Sequence, residues 1–133
     1  MIKLFIGAKG SGKTKTLIEL VNTAAATSKG SVVCIEKGDK LRFDITSKAR
    51  LIDTDYYRID DADKLMGFIA GILASNSDIT DIFVDSSLKI CGNDVAAFET
   101  LLKDCEAITS DVNLVMTVSI AADVCPETIK SYT

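Results

Sequence analysis

The chain has 133 residues, 47% hydrophobic and 26% charged, which is enough to build one self-supporting core and too apolar for a disordered segment. It carries no histidine and four scattered cysteines (Cys34, Cys91, Cys105, Cys125) without C-x-x-C spacing, which excludes histidine catalysis and argues against a zinc site. The net charge of −4 is unevenly spread. Residues 1–58 hold eleven basic and six acidic groups, and residues 59–133 hold four basic and thirteen acidic groups. An acidic chain of this kind is a poor non-specific binder of nucleic acid, and an anionic ligand belongs with its basic half.

In chain order, Lys3–Ile6 reads as a strand that runs into a glycine loop. The spacing of Leu17, Val21 and Ala24 then predicts a helix over Lys13–Thr27. Ser31–Glu36 is an apolar strand, Lys37-Gly38-Asp39-Lys40 a turn, and Leu41–Ile45 a possible returning hairpin arm. Arg50–Asp53 is a further strand. Leu65, Ile69, Ile72 and Leu73 mark a helix over Ala62–Ala74, and Ile82–Asp85 a short strand. Val95, Phe98, Leu102 and Cys105 predict a helix over Asn93–Ile108, Leu114–Ile120 is a long apolar strand, and Pro126 opens a terminal helix. No apolar run reaches the roughly 18 residues of a membrane span, and Met1–Ile6 lacks a signal-peptide layout. The expectation is one cytoplasmic domain over residues 1–133, its cysteines reduced and buried. The β-α-β-α rhythm with continuous apolar strands predicts an α/β fold, a mainly parallel sheet of about five strands covered by helices on both faces.

The segment Gly7-Ala8-Lys9-Gly10-Ser11-Gly12-Lys13-Thr14 fits G-x-x-x-x-G-K-[ST] at every fixed position, between a predicted strand and a predicted helix. The chemistry needs that arrangement. Glycines let the backbone curl with its N–H groups inward around phosphate, and the helix start adds unpaired N–H groups. Lys13 would carry charge to the outer phosphates and Thr14 a hydroxyl to Mg²⁺, while Lys9 and Lys15 flank the loop. On these residues the chain resembles the P-loop nucleoside triphosphatases, and the loop resembles their Walker A motif. The resemblance implies a three-layer α-β-α fold and binding of ATP with Mg²⁺.

That family also implies an apolar strand ending in aspartate. Asp81-Ile82-Phe83-Val84-Asp85 supplies it, and Asp85 would hold the metal. Ser86 and Ser87 follow where many relatives have a glutamate that polarises the attacking water. Leu51-Ile52-Asp53-Thr54-Asp55 is similar to the second acidic site of the partitioning and division-site ATPases. Asp53 would stand near the metal, and Asp55 or Asp53 would orient water. The extra lysine of that class is replaced here by Ala8, so its dimer-bridging mechanism does not carry over. Asp-Thr-Asp also resembles a small-molecule kinase motif, but the only arginines are Arg42, Arg50 and Arg58, not the lid cluster such kinases use. No Asn-Lys-x-Asp follows the last strand, so ATP is preferred to GTP as the expected nucleotide.

Over most of its length the chain is similar to small bacterial ATP-binding proteins, some labelled twitching-motility ATPases. The matching runs are Gly7–Ile18, Val32–Gly38, Leu51–Asp55, Asp81–Asp85 and Leu88–Gly92. The resemblance implies the fold and ATP binding; the motifs, with no glutamate after Asp85, lead to the expectation of a slow or partner-activated Mg²⁺-dependent ATPase or nucleotide switch. A nucleotide-binding module without turnover is the alternative, and a small-molecule kinase a weaker one. Output through a protein partner or self-association is expected; a membrane is not.

Overall fold

The computed structural model describes all 133 residues. Five strands, β1 (Ile2–Gly7), β2 (Ser31–Glu36), β3 (Arg50–Asp53), β4 (Ile79–Val84) and β5 (Asn113–Ser119), form one all-parallel sheet in the order β1-β5-β4-β2-β3. The helices are α1 (Lys13–Thr27), α2 (Ala62–Ser75), α3 (Ser87–Ile90), α4 (Val95–Glu106) and α5 (Glu127–Lys130), with a 3₁₀ turn at Ala122–Val124. The expected α/β class, parallel sheet and strand number are therefore met. No helix is long and apolar enough to cross a membrane.

The chain crosses the sheet from β1 to β2 through α1, then returns from β3 to β4 and β5 through α2 and α4. Crossovers of one hand put helices on opposite faces when the direction of travel reverses. The two cores follow. Leu17 and Val21 of α1 pack on Val32, Cys34 and Phe83 from one face of the sheet. Leu65, Ile69, Phe98 and Leu102 pack on Val33, Ile35, Ile82, Val84, Leu114 and Met116 from the other. Successive strand residues point to opposite faces, so each apolar run feeds both cores. All four cysteines are buried and free, and burial pushes the thiols of Cys34, Cys91 and Cys105 up to about 12, which leaves them as inert packing groups.

Four expected elements differ. The strand expected over Ile82–Asp85 starts three residues earlier and ends at Val84. Leu41–Ile45 is not a hairpin arm. Both edges of β2 are already occupied, by β3 and β4, so no partner remains for an extra strand. The segment instead makes a turn, Ile45 N–H to Leu41 O at 3.0 Å, and buries Leu41 and Ile45 against α1. Asn22 of α1 fastens it, donating to Asp44 O and accepting from Thr46 N–H, each at 2.9 Å. The helix expected over Asn93–Ile108 starts later, at Val95, capped by the Asp94 carboxylate on Ala97 N–H at 3.0 Å. Gly92 and Asn93, with φ of 68° and 59°, break it from α3. The terminal helix behind Pro126 is a single turn, Glu127–Lys130.

Candidate functional site

In parallel sheets of this kind, ligands meet the carboxyl ends of the strands. There the register aligns three polar side chains. Ile35 and Met116 both pair with Val84, so the next residues, Glu36 on β2, Asp85 after β4 and Thr117 on β5, form a row across three neighbouring strands. Asp85 N–H donates to Ile35 O at 2.8 Å, which extends the sheet pattern one residue past β4. By the alternation of strands, the row faces the same side as Cys34, Phe83 and α1.

The first turn of α1 lies over that row. Thr14 Oγ1 donates to Asp85 Oδ1 at 3.1 Å, and Thr117 Oγ1 donates to the same oxygen at 2.7 Å. Thr117 Oγ1 also accepts from Ser86 N–H at 2.7 Å, and Ser87 Oγ donates to Thr117 O at 2.9 Å. Thr117 is 1% exposed, so this clamp sits out of water and holds the Asp85 carboxylate in one orientation.

The glycine loop curls above. Gly10 and Gly12 have φ of 83° and 90°, backbone that L side chains rarely adopt. Gly7 serves differently: a Cβ there would come within 2.6 Å of Ser11 Oγ, so a side chain at this position would make the Ser11 hydroxyl turn aside. Lys13 Nζ bridges the loop, donating to Ala8 O at 2.9 Å and Ser11 Oγ at 3.3 Å. Desolvation holds its pKa below the ordinary lysine value, and the charge of Asp85 opposes that shift.

Loop, α1 and the polar row enclose a cleft of about 650 Å³. Lys9, Gly10, Gly12, Lys13, Thr14, Lys15 and Asp85 all line it, so most of the residues singled out from the sequence meet in one place. Gly7, Ala8 and Ser11 belong to the same loop but do not line the cleft, and Ala8 and Ser11 are exposed. Six lysines line the cleft (Lys37, Lys40 and Lys89 join the first three) against two carboxylates, Glu36 and Asp85. A cationic cleft on a chain of net charge −4 is a concentrated attraction for anions.

Asp53 and Asp55 are not brought to the cleft. Asp53 Oδ1 accepts from Gly38 N–H at 2.9 Å and Asp55 N–H at 2.8 Å, which ties the loop after β2 to the end of β3. Asp55 faces solvent and pairs with Lys37 at 2.6 Å. Tyr56 and Tyr57 form an exposed edge-to-face pair at 5.0 Å, away from the cleft, and Arg42 lies over Phe43 at 4.8 Å.

The second carboxylate of the cleft is Glu36, to which the sequence reading assigned no role. It is 2% exposed and accepts from Lys40 N–H at 3.1 Å and from Leu41 N–H at 3.1 Å. Burial holds its pKa above the ordinary glutamate value; the two amides pull it down, and Asp85 and Asp53 push it further up. Its signal in the sequence was the one that marks Asp85: an apolar strand, Val32–Ile35, ending in a carboxylate. Thr117 had no signal beyond a hydroxyl in an apolar run.

No family model matches this chain, and no curated protein does.

Proposed function

We propose that this protein binds ATP with Mg²⁺ as a P-loop nucleoside triphosphatase does, with slow hydrolysis that a protein partner or a second copy accelerates. The observation that carries the reading is the Thr14–Asp85 contact of 3.1 Å directly beneath a glycine loop closed by Lys13. Loop N–H groups and the Lys13 ammonium would hold the phosphates. Thr14 and Asp85 would hold the metal. Mg²⁺ takes one or two protein oxygens and completes its shell with phosphate and water, so this pair suffices although no cluster of three acidic or thiol ligands exists. When bound, the metal supplies charge neutralisation and orientation of the phosphates.

Glu36 takes the role first given to Asp53 or Asp55, orienting the attacking water. It is the carboxylate next to Asp85 in the cleft, and its raised pKa moves it toward the range of a useful base. None of Arg42, Arg50 and Arg58 lines the cleft. An arginine on the transferring phosphoryl group is worth about 10³–10⁵ in rate. Its absence from the cleft supports slow intrinsic turnover and an activating molecule that brings one.

Calorimetric titration with ATP, ADP and GTP in Mg²⁺, with phosphate release followed in the same samples, tests the reading. Magnesium-dependent binding is expected, with turnover on the order of 10⁻³ s⁻¹. A protein that binds none of the three nucleotides rejects it. Leu41 is the one hydrophobic residue of the lining, so affinity should reside in the phosphates. Magnesium tripolyphosphate is expected to compete with ATP within about ten-fold of its affinity. A competitor a thousand-fold weaker would place the main contacts on the nucleoside.

Thr117→Val tests the clamp. The substitution keeps the branched shape but leaves Ser86 N–H without its acceptor and takes from Asp85 its shortest donor, while the Thr14 bond remains. Magnesium affinity of the nucleotide complex should fall about 10–100-fold, and denaturant titration should show a loss of about 1–3 kcal/mol. Unchanged magnesium affinity would remove Thr117 from the site.

A further inference from the structure

The two edges of the sheet end differently. On β1, Leu4 N–H turns away from β5 and donates to Tyr132 O at 3.0 Å, so the stretch around Tyr132 closes that edge. On β3, Thr54 N–H just beyond the strand donates to Glu36 O at 2.8 Å, and alternate residues of a strand turn their backbone groups the same way. Arg50 and Ile52 therefore face β2, and Leu51 and Asp53 direct their N–H and C=O groups outward. No other segment of the chain bonds to them. Such an edge is a template for one more strand.

Charge ordinarily keeps edges of this kind apart. Here it is divided along the strand. Lys48 and Arg50 stand at the amino end of β3, Asp53 and Asp55 at its carboxyl end. Antiparallel pairing of two such strands sets the basic end of each against the acidic end of the other. Leu51 also lines a second cavity, of about 610 Å³, whose wall carries Arg42, Lys48 and Arg50 and no carboxylate. Exposed aromatic residues flank the edge at both ends. Phe43, 86% exposed, stacks under Arg42 toward the cavity, and Tyr56, 77% exposed, follows Asp55.

We infer that the β3 edge is the docking surface for a second copy of this chain, the two β3 strands pairing antiparallel about a two-fold axis into one continuous sheet. The outward residues fix the register. All the free groups of both strands are used only when Leu51 lies opposite the partner's Asp53 and Ile52 opposite the partner's Ile52. Residues opposite one another share a face, so the partner's Asp53 carboxylate stands beside Leu51 at the mouth of the cationic cavity. A strand of four residues is small against the roughly 1,200 Å² of a stable interface, so the flanking aromatic residues join the contact and the dimer is a weak one. The same patch serves both copies, which is the commonest arrangement in oligomers. None of these residues lines the glycine-loop cleft, so the pairing is independent of the nucleotide reading.

Sedimentation equilibrium on the full chain without nucleotide tests the pairing. A monomer–dimer equilibrium that weakens as potassium chloride is added is expected. Two changes should each weaken it about ten-fold or more. Leu51→Pro removes an outward N–H and leaves the bonds to β2 in place, a position where edge strands tolerate proline. Lys48→Glu/Arg50→Glu turns the basic end acidic at two exposed positions. Asp55→Lys, also at an exposed position, neutralises the other end and should dimerise poorly by itself. An equimolar mixture of Asp55→Lys with the double variant should associate more tightly than either alone, which a loss of folding cannot produce. A parent that stays monomeric into the millimolar range overturns the pairing. So does a folded Leu51→Pro or double variant that dimerises as the parent does, and so does a mixture that associates no better than its components. A monomeric parent that binds a fluorescein-labelled peptide of alternating threonine and valine ending in two aspartates, read by anisotropy, gives the edge to another protein and excludes the second copy.

Discussion

Lys13→Ala is expected to bind ATP roughly ten- to a hundred-fold more weakly than the parent while unfolding at nearly the same temperature. The ammonium of Lys13 contacts only Ala8 O and Ser11 Oγ, both in the exposed loop, and touches neither core. Its removal therefore costs little packing. The loop keeps its course because that course is set by the positive φ of Gly10 and Gly12 and by the close approach of Gly7 to Ser11. What disappears is a charge already partly stripped of water and aimed into the cleft, which is the state in which a charge-assisted bond to phosphate is strongest. Calorimetry beside thermal unfolding by circular dichroism reads both quantities. A folded variant with parental ATP affinity would remove Lys13 from the site, and with it the reading of the loop.

The second large effect is at Glu36. Glu36→Gln should lower ATP turnover by about 10²–10⁴-fold with ATP binding retained, because the amide cannot take a proton from water. The same variant should be at least as stable as the parent at neutral pH. The sign follows from linkage. A carboxylate whose pKa is raised by folding contributes stability that is fully present below its unfolded pKa. That stability is lost as pH rises through the folded value. Once ionised, the group is thus a cost, and glutamine avoids it while its oxygen still accepts from Lys40 and Leu41 N–H. Parental turnover should rise with pH through the raised pKa, and that rise should vanish in the variant. A stability gain combined with an activity loss is the signature of a group retained for chemistry. Parental turnover in Glu36→Gln would return the residue to a purely structural role in the turn after β2.

Much of this was readable in the chain itself. The bounds of α1, β2 and β3 coincide with those expected from apolar spacing, because each element is specified by its own residues: a helical stripe from Leu17 to Ala24, and unbroken apolar runs ending at Glu36 and Asp53. The glycine loop was equally legible, since its conformation needs particular residues at fixed positions, and the fold brings Lys9, Gly10, Gly12, Lys13, Thr14, Lys15 and Asp85 to one cleft as that spacing implied. Asp53 and Asp55 had the same kind of signal, a strand ending in carboxylates, but it led elsewhere. β3 is an edge strand, one place beyond β2, and there Asp53 ties two loops together while Asp55 meets Lys37.

Strand order was what the sequence left open. It decided that β5 lies between β1 and β4, which sets Thr117 against Asp85 across 32 positions of chain, and that β2 lies beside β4, which sets Glu36 next to that pair. It also denied Leu41–Ile45 a strand partner. By itself, then, the sequence determined most of the elements, the class of fold and the course of the glycine loop, because those depend on residues a few positions apart. Only the tertiary structure decided which carboxylate stands in the cleft, what clamps Asp85 and where the remaining lysines gather, because parallel pairing joins residues far apart in sequence, which short-range spacing cannot specify.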